Sequence, residues 1–224
     1  MPRRLVILLL ALGLLAGCGE EAAGKGNAEL WITRDRGAHV VLEATVPAEI
    51  SAMEALRREA DVETRYGGRF VQAINGVEGS LARQRDWFFY VNGYEADRSA
   101  ADYRLHDGDV LWFDHRSWAR ELRVPIVVGA FPEPFLHGFD GRRRPALVEG
   151  PESEAARELA KVVRGKLNGG AEGANRLVLV KGSGFRARPT GAPGDPVVFE
   201  LGIEVAARLA RDPSLARFRY EGLR

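Results

Sequence analysis

The chain has 224 residues, of which 46% are hydrophobic and 28% are charged, and this composition is typical of a globular protein with a buried core. Its formal net charge is +1, so it lacks the strong positive field that recruits nucleic acid, and we expect no nucleic-acid partner. The single cysteine excludes an intramolecular disulfide and a zinc site built from several thiolates.

Residues 1–17 have the layout of a secretory signal peptide. Two arginines precede an apolar run from Leu5 to Leu15, which is shorter than the roughly 20 residues that a membrane-spanning helix needs. The run leads into small residues, and the only cysteine, Cys18, follows them directly. We therefore expect residues 1–17 to be removed on export.

The segment Leu15-Ala16-Gly17-Cys18 resembles the lipobox of bacterial lipoproteins. The resemblance implies cleavage before Cys18 and a diacylglyceryl group on its sulfur, and two acyl chains anchor a protein stably where one is marginal. It therefore implies a lipid anchor in a cell membrane, on the extracytoplasmic face. Residues 18–28 are rich in glycine, alanine and charged residues, and this composition predicts a flexible tether. The alternative is an ordinary signal peptide with a chance cysteine.

The first part of the mature chain has the pattern of a hairpin followed by a helix. Alternating segments from Glu29 to Thr33 and from His39 to Val46 predict two paired strands. Ser51 and Glu54 have the spacing of a capping box, which marks the start of a helix that we expect to end near Ala60.

Strand signals and tight turns then follow in quick succession. The predicted strands are Phe70 to Ile74, Trp87 to Val91 and Val110 to Phe113. Asn92-Gly93 is a strong signal for a tight turn, and Asp107-Gly108-Asp109 is a further turn. The order of hairpin, helix and strands predicts an α+β fold in which residues 29–118 form a β-grasp domain, a mixed sheet curled around one helix.

The strand from Trp87 to Val91 carries aromatic side chains on both faces, since neighbouring residues of a strand point to opposite sides. We expect one face to pack on the helix that begins at Ser51, and the other to border a ligand groove. The wall of that groove is expected to be the proline-rich loop 131–135. The candidate ligand-binding residues are Trp87, Phe88, Tyr90, Tyr94, Trp112, Phe131 and Phe135. The alternative is that the C-terminal residues cover this face as core.

Residues 119–224 are expected to form a smaller α/β domain of unknown role. Gly169-Gly170 follows one predicted helix as its stop, and Asp212-Pro213 follows the other. The predicted elements are a β-rich run at 124–128, a helix at 152–167, strands at 177–180 and 197–201, a helix at 203–210 and a last strand at 216–220.

The sequence contains few residues in patterns typical of metal-binding or catalytic sites. One Asp107-Gly108-Asp109 turn lacks the ligand count that calcium needs, and neither His115 nor His137 has a second metal ligand at suitable spacing. Gly182-Ser183-Gly184 lacks the features of a nucleophile elbow or a phosphate-binding loop. We therefore predict no catalytic residue, no metal site and no enzymatic activity.

Residues 51–118 resemble the C-terminal β-domain of transcobalamin and intrinsic factor. More closely, they resemble bacterial lipoproteins and surface proteins that carry a related domain of unknown function. The matching pieces are Tyr66-Gly67-Gly68, Phe70-Val71-Gln72-Ala73-Ile74-Asn75-Gly76, Trp87-Phe88-Phe89-Tyr90-Val91-Asn92-Gly93, Ala101-Asp102-Tyr103 and Asp107-Gly108-Asp109-Val110. The resemblance implies a β-grasp fold used for soluble-ligand binding, with a corrinoid as a ligand rather than a catalytic cofactor. No contact residue is carried over, and the sequence shows nothing like the carriers' α-helical barrel.

Together these features predict a non-enzymatic, membrane-anchored extracytoplasmic lipoprotein that binds a small molecule, with a cobalamin-like cofactor as the most specific candidate. The alternative is a non-catalytic cell-envelope scaffold or protein-interaction module, with a transporter or an envelope protein as partner. A hydrolase in the C-terminal domain is a third hypothesis, for which the sequence supplies no triad.

Overall fold

The computed structural model describes residues 26–224, so the predicted signal peptide, Cys18 and most of the predicted tether lie outside the described residues. The described chain is a mixed α+β protein. Its helices are α1 (Ala52–Glu59), α2 (Glu154–Val162), α3 (Ile203–Arg211) and the 3-10 helix Pro213–Ala216. Its strands are β1 (Asn27–Arg34), β2 (His39–Pro47), β3 (Val62–Arg65), β4 (Phe70–Ile74), β5 (Val77–Glu78), β6 (Arg85–Val91), β7 (Tyr94–Glu95), β8 (Val110–Ser117), β9 (Ala146–Glu149), β10 (Lys166–Leu167), β11 (Asn175–Val180), β12 (Phe185–Pro189) and β13 (Val197–Gly202).

The first sheet has the strand order β2-β1-β8-β6-β7. Its central strands β1 and β8 run parallel, and the remaining neighbours are antiparallel. The predicted hairpin is confirmed as β1 and β2. Strand β1 already begins at Asn27, whose backbone N–H donates to Asp107 Oδ1 at 2.9 Å, so ordered structure takes up the last residues of the predicted tether.

Helix α1 follows this hairpin and buries four small or apolar side chains: Ala52, Met53, Ala55 and Leu56. The predicted N-cap is confirmed, because Ser51 Oγ accepts a hydrogen bond from the backbone N–H of Glu54 at 3.0 Å. The carboxylate of Glu54 instead accepts from Arg58 at 2.9 Å, one turn further along the helix. Half of the predicted capping box is therefore present.

A small antiparallel sheet, β3-β4-β5, lies beside the end of β6. The indole N–H of Trp87 in β6 donates to the carbonyl oxygen of Val77 in β5 at 2.8 Å and so ties the two sheets together. This arrangement brings Phe70 and Val71 of β4 close to the aromatic residues of β6.

The second large sheet has the order β10-β9-β11-β13-β12, in which β12 alone is antiparallel to its neighbour. Helix α2 ends well before the predicted residue 167. The chain turns at Arg164, which has a φ of 49°, and a Cβ on Gly165 would lie 2.6 Å from the carbonyl oxygen of Ala146. Because Gly165 has no side chain, the chain can pass this close to Ala146 and enter β10. Residues 166–167, which were predicted as the end of the helix, therefore form a strand.

Two predicted strands in the C-terminal half are wrong. The run at 124–128 forms only a single bridge, between Ile126 and Tyr94. The run at 216–220 follows the 3-10 helix and crosses the first sheet without joining a strand ladder. Both runs bury apolar side chains against the first sheet, among them Val124, Val127, Phe218 and Tyr220, and such burial does not require strand pairing.

Candidate functional site

The second face of the aromatic strand is covered by protein. Tyr90 and Trp112 are fully buried on this face, under the C-terminal residues Phe218 and Tyr220. The Trp112 indole N–H donates to Thr33 Oγ1 at 2.7 Å, and its ring lies 5.5 Å from that of Tyr220. Burial raises the pKa of Tyr90 to about 12. The prediction that Tyr90 and Trp112 line a ligand groove is therefore wrong, because both side chains form core.

Three further candidate binding residues are also buried. Tyr94 donates its hydroxyl to the carbonyl oxygen of Asp195 at 2.8 Å. The proline-rich loop turns its phenyl rings inward, so that Phe131 packs edge-on against Phe185 at 5.5 Å. Phe135 packs in the same way against a phenylalanine of β13 at 5.1 Å. Phe135 is thus part of the core, whereas Phe131 packs in the core and also contributes to the lining of a second, smaller cavity.

Trp87 and Phe88, in contrast, border an open cavity of about 670 Å³ beside β6, lined by residues from both faces of this strand. We call it the aromatic cavity. Its apolar lining comes from β4, β6, β8 and the segment after β8, and its main members are Phe70, Phe88, Phe89, Phe113, Trp118 and Leu122. Small-molecule sites in proteins have volumes of about 300–1,000 Å³ and mostly apolar walls. The aromatic cavity has both properties.

The floor of the aromatic cavity is held in place, whereas its rim is exposed. Phe89 stacks on Phe113 with ring centroids 5.2 Å apart, and the guanidinium of Arg116 lies 3.7 Å from the ring centre of Phe88. At the rim, Leu81 and Leu122 are 83% and 63% exposed. Exposed apolar groups around a concave surface are typical of a binding site.

Most charged groups in the lining are satisfied by neighbours. Arg69 forms an ion pair with Asp102. Arg98 donates to two carboxylates at 2.7 and 2.8 Å. Glu95 accepts from the backbone N–H of Val124 at 2.6 Å and forms an ion pair of 3.4 Å with Arg123. These ion pairs and hydrogen bonds hold neighbouring segments together around the aromatic cavity.

Asp86 is the exception among the charged lining residues. Its Oδ1 accepts from the backbone N–H of Trp87 at 2.8 Å, and no arginine, lysine or histidine of residues 26–224 lies within ion-pair distance. The side chain is half-buried, and burial raises its pKa. Asp86 therefore supplies an unpaired acidic group in an aromatic lining.

A second cavity, of about 460 Å³, lies between β1, the proline-rich loop and the 3-10 helix. Trp31 and Phe131 contribute to its lining, and Arg217 closes one side through an ion pair of 3.2 Å with Glu29. It is smaller than the aromatic cavity and contains fewer aromatic residues. In the described part of the chain, no cluster of three or more His, Cys, Asp or Glu residues is placed to hold a metal ion. No helix described here is long and apolar enough to cross a membrane.

Sequence reasoning identified part of the cavity and missed the rest. Trp87 and Phe88 were among its candidates, whereas Asp86, Trp118 and Leu122 were not. The missed residues come from separate segments that meet only in the folded chain. One signal was present, since Trp118 and Leu122 are large apolar residues in a stretch otherwise rich in arginine and glutamate.

Comparison with known proteins gives a partial match. Residues 50–117 match the family model described as Domain of unknown function (DUF4430), which covers less than half of the chain. No curated protein matches the chain. A protein from Ruminococcus gnavus, described as a candidate metal binding protein, shares 14% identity at a TM-score of 0.35, over 42% of this chain and 98% of that chain.

Haptocorrin in complex with Cbi shares 14% identity at a TM-score of 0.35, over 41% of this chain and 25% of that chain. The chain thus spans about a quarter of the haptocorrin chain. Over residues 50–117 the chain is similar to DUF4430 domains, and this segment supplies most of the lining of the aromatic cavity.

Proposed function

We propose that this protein is a non-enzymatic lipoprotein, anchored at the extracytoplasmic face of a cell membrane through Cys18, that binds a small molecule in the aromatic cavity. The observation that carries the proposal is the cavity itself, because its volume of about 670 Å³ and its aromatic lining suit an organic ligand. The lipid anchor is supported by the lipobox-like segment that ends at Cys18.

The order of strands in the first sheet supports a β-grasp domain as the framework for this site. The parallel pair β1 and β8 lies at its centre, and α1 connects the N-terminal hairpin to the strands that follow. We propose the β-grasp domain as the ligand-binding unit. The resemblance of residues 51–118 to cobalamin carriers makes a cobalamin-like ligand one candidate, and a corrinoid retained through purification would be seen by its visible absorption.

A fluorescence titration tests the binding function. N-phenyl-naphthylamine is an uncharged dye whose emission rises in apolar surroundings, and we expect saturable binding to the protein. Ala96 lines the aromatic cavity and Ala38 lies in an exposed turn, so Ala96→Phe fills the site and Ala38→Phe is its matched control. Dye binding that is lost in Ala96→Phe and kept in Ala38→Phe supports the proposal. Equal binding by both variants contradicts it.

A protein-interaction module is the second candidate function. It is favoured by the exposed apolar rim, where Leu81 and Leu122 project, and by the closed second face of the sheet. In that case Leu81→Asp would weaken association with one partner protein. A small-molecule site predicts no such partner.

The membrane anchor is tested separately. Cys18→Ser removes the sulfur that a thioether-linked diacylglyceryl group needs, so the protein should move from the membrane fraction to the soluble fraction. Unchanged membrane partition of this variant, with normal processing of the precursor, would contradict lipidation.

A further inference from the structure

We propose that the ligand of the aromatic cavity is an organic cation, an aromatic or other apolar body that carries an ammonium group, and that Asp86 binds this group. The inference rests on the proposed function, since it assigns a ligand class to the same site. The charged residues of the lining differ in whether a neighbouring side chain forms an ion pair with them.

Three of the four charged lining residues already have a partner. Arg69, Glu95 and Arg98 each form an ion pair with a neighbouring side chain. A ligand that used one of them would have to compete with that pair. Asp86 has no such pair within the described residues, so a cationic ligand gains its full attraction without displacing another group.

The carboxylate of Asp86 is held in a defined position. Its Oδ1 accepts from the backbone N–H of Trp87, whereas its Oδ2 receives no hydrogen bond from residues 26–224. A Cβ on Gly79 would lie 2.4 Å from Oδ1, so the carboxylate rests directly against the Gly79 backbone. One oxygen is thus fixed by the protein and the other is available to a donor on a ligand.

The groups that surround Asp86 do not supply the missing counter-charge. Arg65 and His115 act on it only through longer-range electrostatics. His115 is itself buried against the Trp87 ring at a centroid distance of 5.1 Å, and burial lowers its pKa. Burial thus disfavours the charged form of this imidazole, and the half-buried Asp86 carboxylate has no cation within ion-pair distance among residues 26–224.

The aromatic walls favour the same class of ligand. The face of an aromatic ring attracts a cation. The ring of Phe88 already faces Arg116, whereas the indole of Trp118 packs against no other aromatic ring among the residues described. An anionic ligand would instead place a like charge beside Asp86. Carboxylates or sulfonates of the same body should therefore bind more weakly than neutral analogues.

A matched set of probes tests the inference by displacement of N-phenyl-naphthylamine. Naphthylethylamine, naphthylethanol and naphthylacetate share one apolar body and carry a positive, a neutral and a negative group at neutral pH. We expect the amine to bind about tenfold or more tightly than the alcohol, as a charge-assisted hydrogen bond provides, and the carboxylate to bind most weakly.

Two variants assign the preference to Asp86. Asp86→Asn keeps the size of the side chain and an acceptor for the Trp87 N–H, and we expect the amine and the alcohol to bind it equally. Glu63→Gln removes one charge from an exposed position on β3, outside the cavity lining, and should keep the preference of the wild type. Circular dichroism melting of both variants establishes that they are folded.

The outcomes separate the two proposals. Equal binding of all three probes to the wild type would overturn the cation proposal and leave the aromatic cavity as a binding site. An amine preference that persists in Asp86→Asn would overturn the role of Asp86. If neither the dye nor any naphthyl probe binds the wild type, both the proposed function and this inference are wrong.

Discussion

Replacement of Trp112 measures whether the covered face of the first sheet is core or site. Trp112→Ala removes a fully buried indole whose centroid lies 5.6 Å from that of Tyr90 and 5.5 Å from that of Tyr220. It also removes the hydrogen bond of 2.7 Å to Thr33. Substitutions of buried tryptophan by alanine cost about 3–5 kcal/mol of unfolding free energy, and we expect a loss in this range.

Two further variants refine this test: one isolates the contribution of the Trp112 indole N–H, and the other is a control at the aromatic cavity. Trp112→Phe keeps a ring in the core and removes the indole N–H, so it should cost about 1–2 kcal/mol. Trp118→Ala truncates a half-buried indole at the aromatic cavity and should change stability by less than about 1 kcal/mol. Both tryptophans lie in or directly after β8, which makes Trp118 a close control for Trp112.

Urea unfolding followed by circular dichroism gives these free energies. The reasoning is refuted if the unfolding free energy of Trp112→Ala lies within about 1 kcal/mol of the wild-type value, because removal of a core indole lowers that free energy by more. Such a result would mean that the face is open, as the sequence first indicated. A loss from Trp118→Ala as large as that from Trp112→Ala would likewise contradict the division into core and site.

Two other predictions concern the helix start and a partly buried ion pair. Ser51→Ala should lower the unfolding free energy by about 1 kcal/mol, because the N–H of Glu54 loses its acceptor, and an unchanged urea midpoint would contradict this. His137 Nδ1 lies 2.6 Å from Glu133 Oε1, and this contact raises the pKa of His137 above its usual 6.5. The stabilisation is therefore fully present below pH 6.5 and is lost as the pH rises through the raised pKa. The stability difference between wild type and His137→Asn should shrink as the pH rises, whereas a constant difference would exclude this ion pair as a source of stability.

The elements with strong local signals could be predicted from the sequence. The hairpin of β1 and β2 follows from alternation, and the start of α1 follows from Ser51. The turn after β6 has positive φ angles of 50° at Asn92 and 85° at Gly93, as an Asn-Gly pair in a two-residue hairpin turn requires. In each case residues that are close in sequence determine the conformation.

The packing of the C-terminal residues on the second face of the first sheet could not be predicted in the same way. Tyr220 packs on Trp112 across more than a hundred residues of chain, and its hydroxyl donates to Asp114 at 2.9 Å. The alternation of apolar residues and the composition of the chain do not predict such a long-range contact. The apolar run at 124–128 is also compatible with a strand or with a buried loop, and only the tertiary structure decides between them.

The aromatic residues show the same limit for the candidate site. Trp112 and Trp118 are six positions apart, and the first is fully buried whereas the second lines the aromatic cavity. Residue type alone cannot distinguish them. No sequence motif marks Asp86 as a binding residue. Its candidacy depends on the aromatic groups around it and on the absence of a nearby cation among the described residues, and both are visible only in the folded chain.

The tryptophan indoles provide the most direct test of the central claim, that the aromatic cavity binds a small molecule. The chain has four tryptophans, of which Trp87 and Trp118 line this cavity, Trp31 lines the smaller cavity and Trp112 lies in the core. Their indole N–H signals can be followed in proton–nitrogen correlation spectra during a titration with naphthylethanol. The account predicts saturable shifts of the Trp87 and Trp118 signals with little change at Trp31 and Trp112. Shifts confined to Trp31, or no shift at any indole, would contradict it.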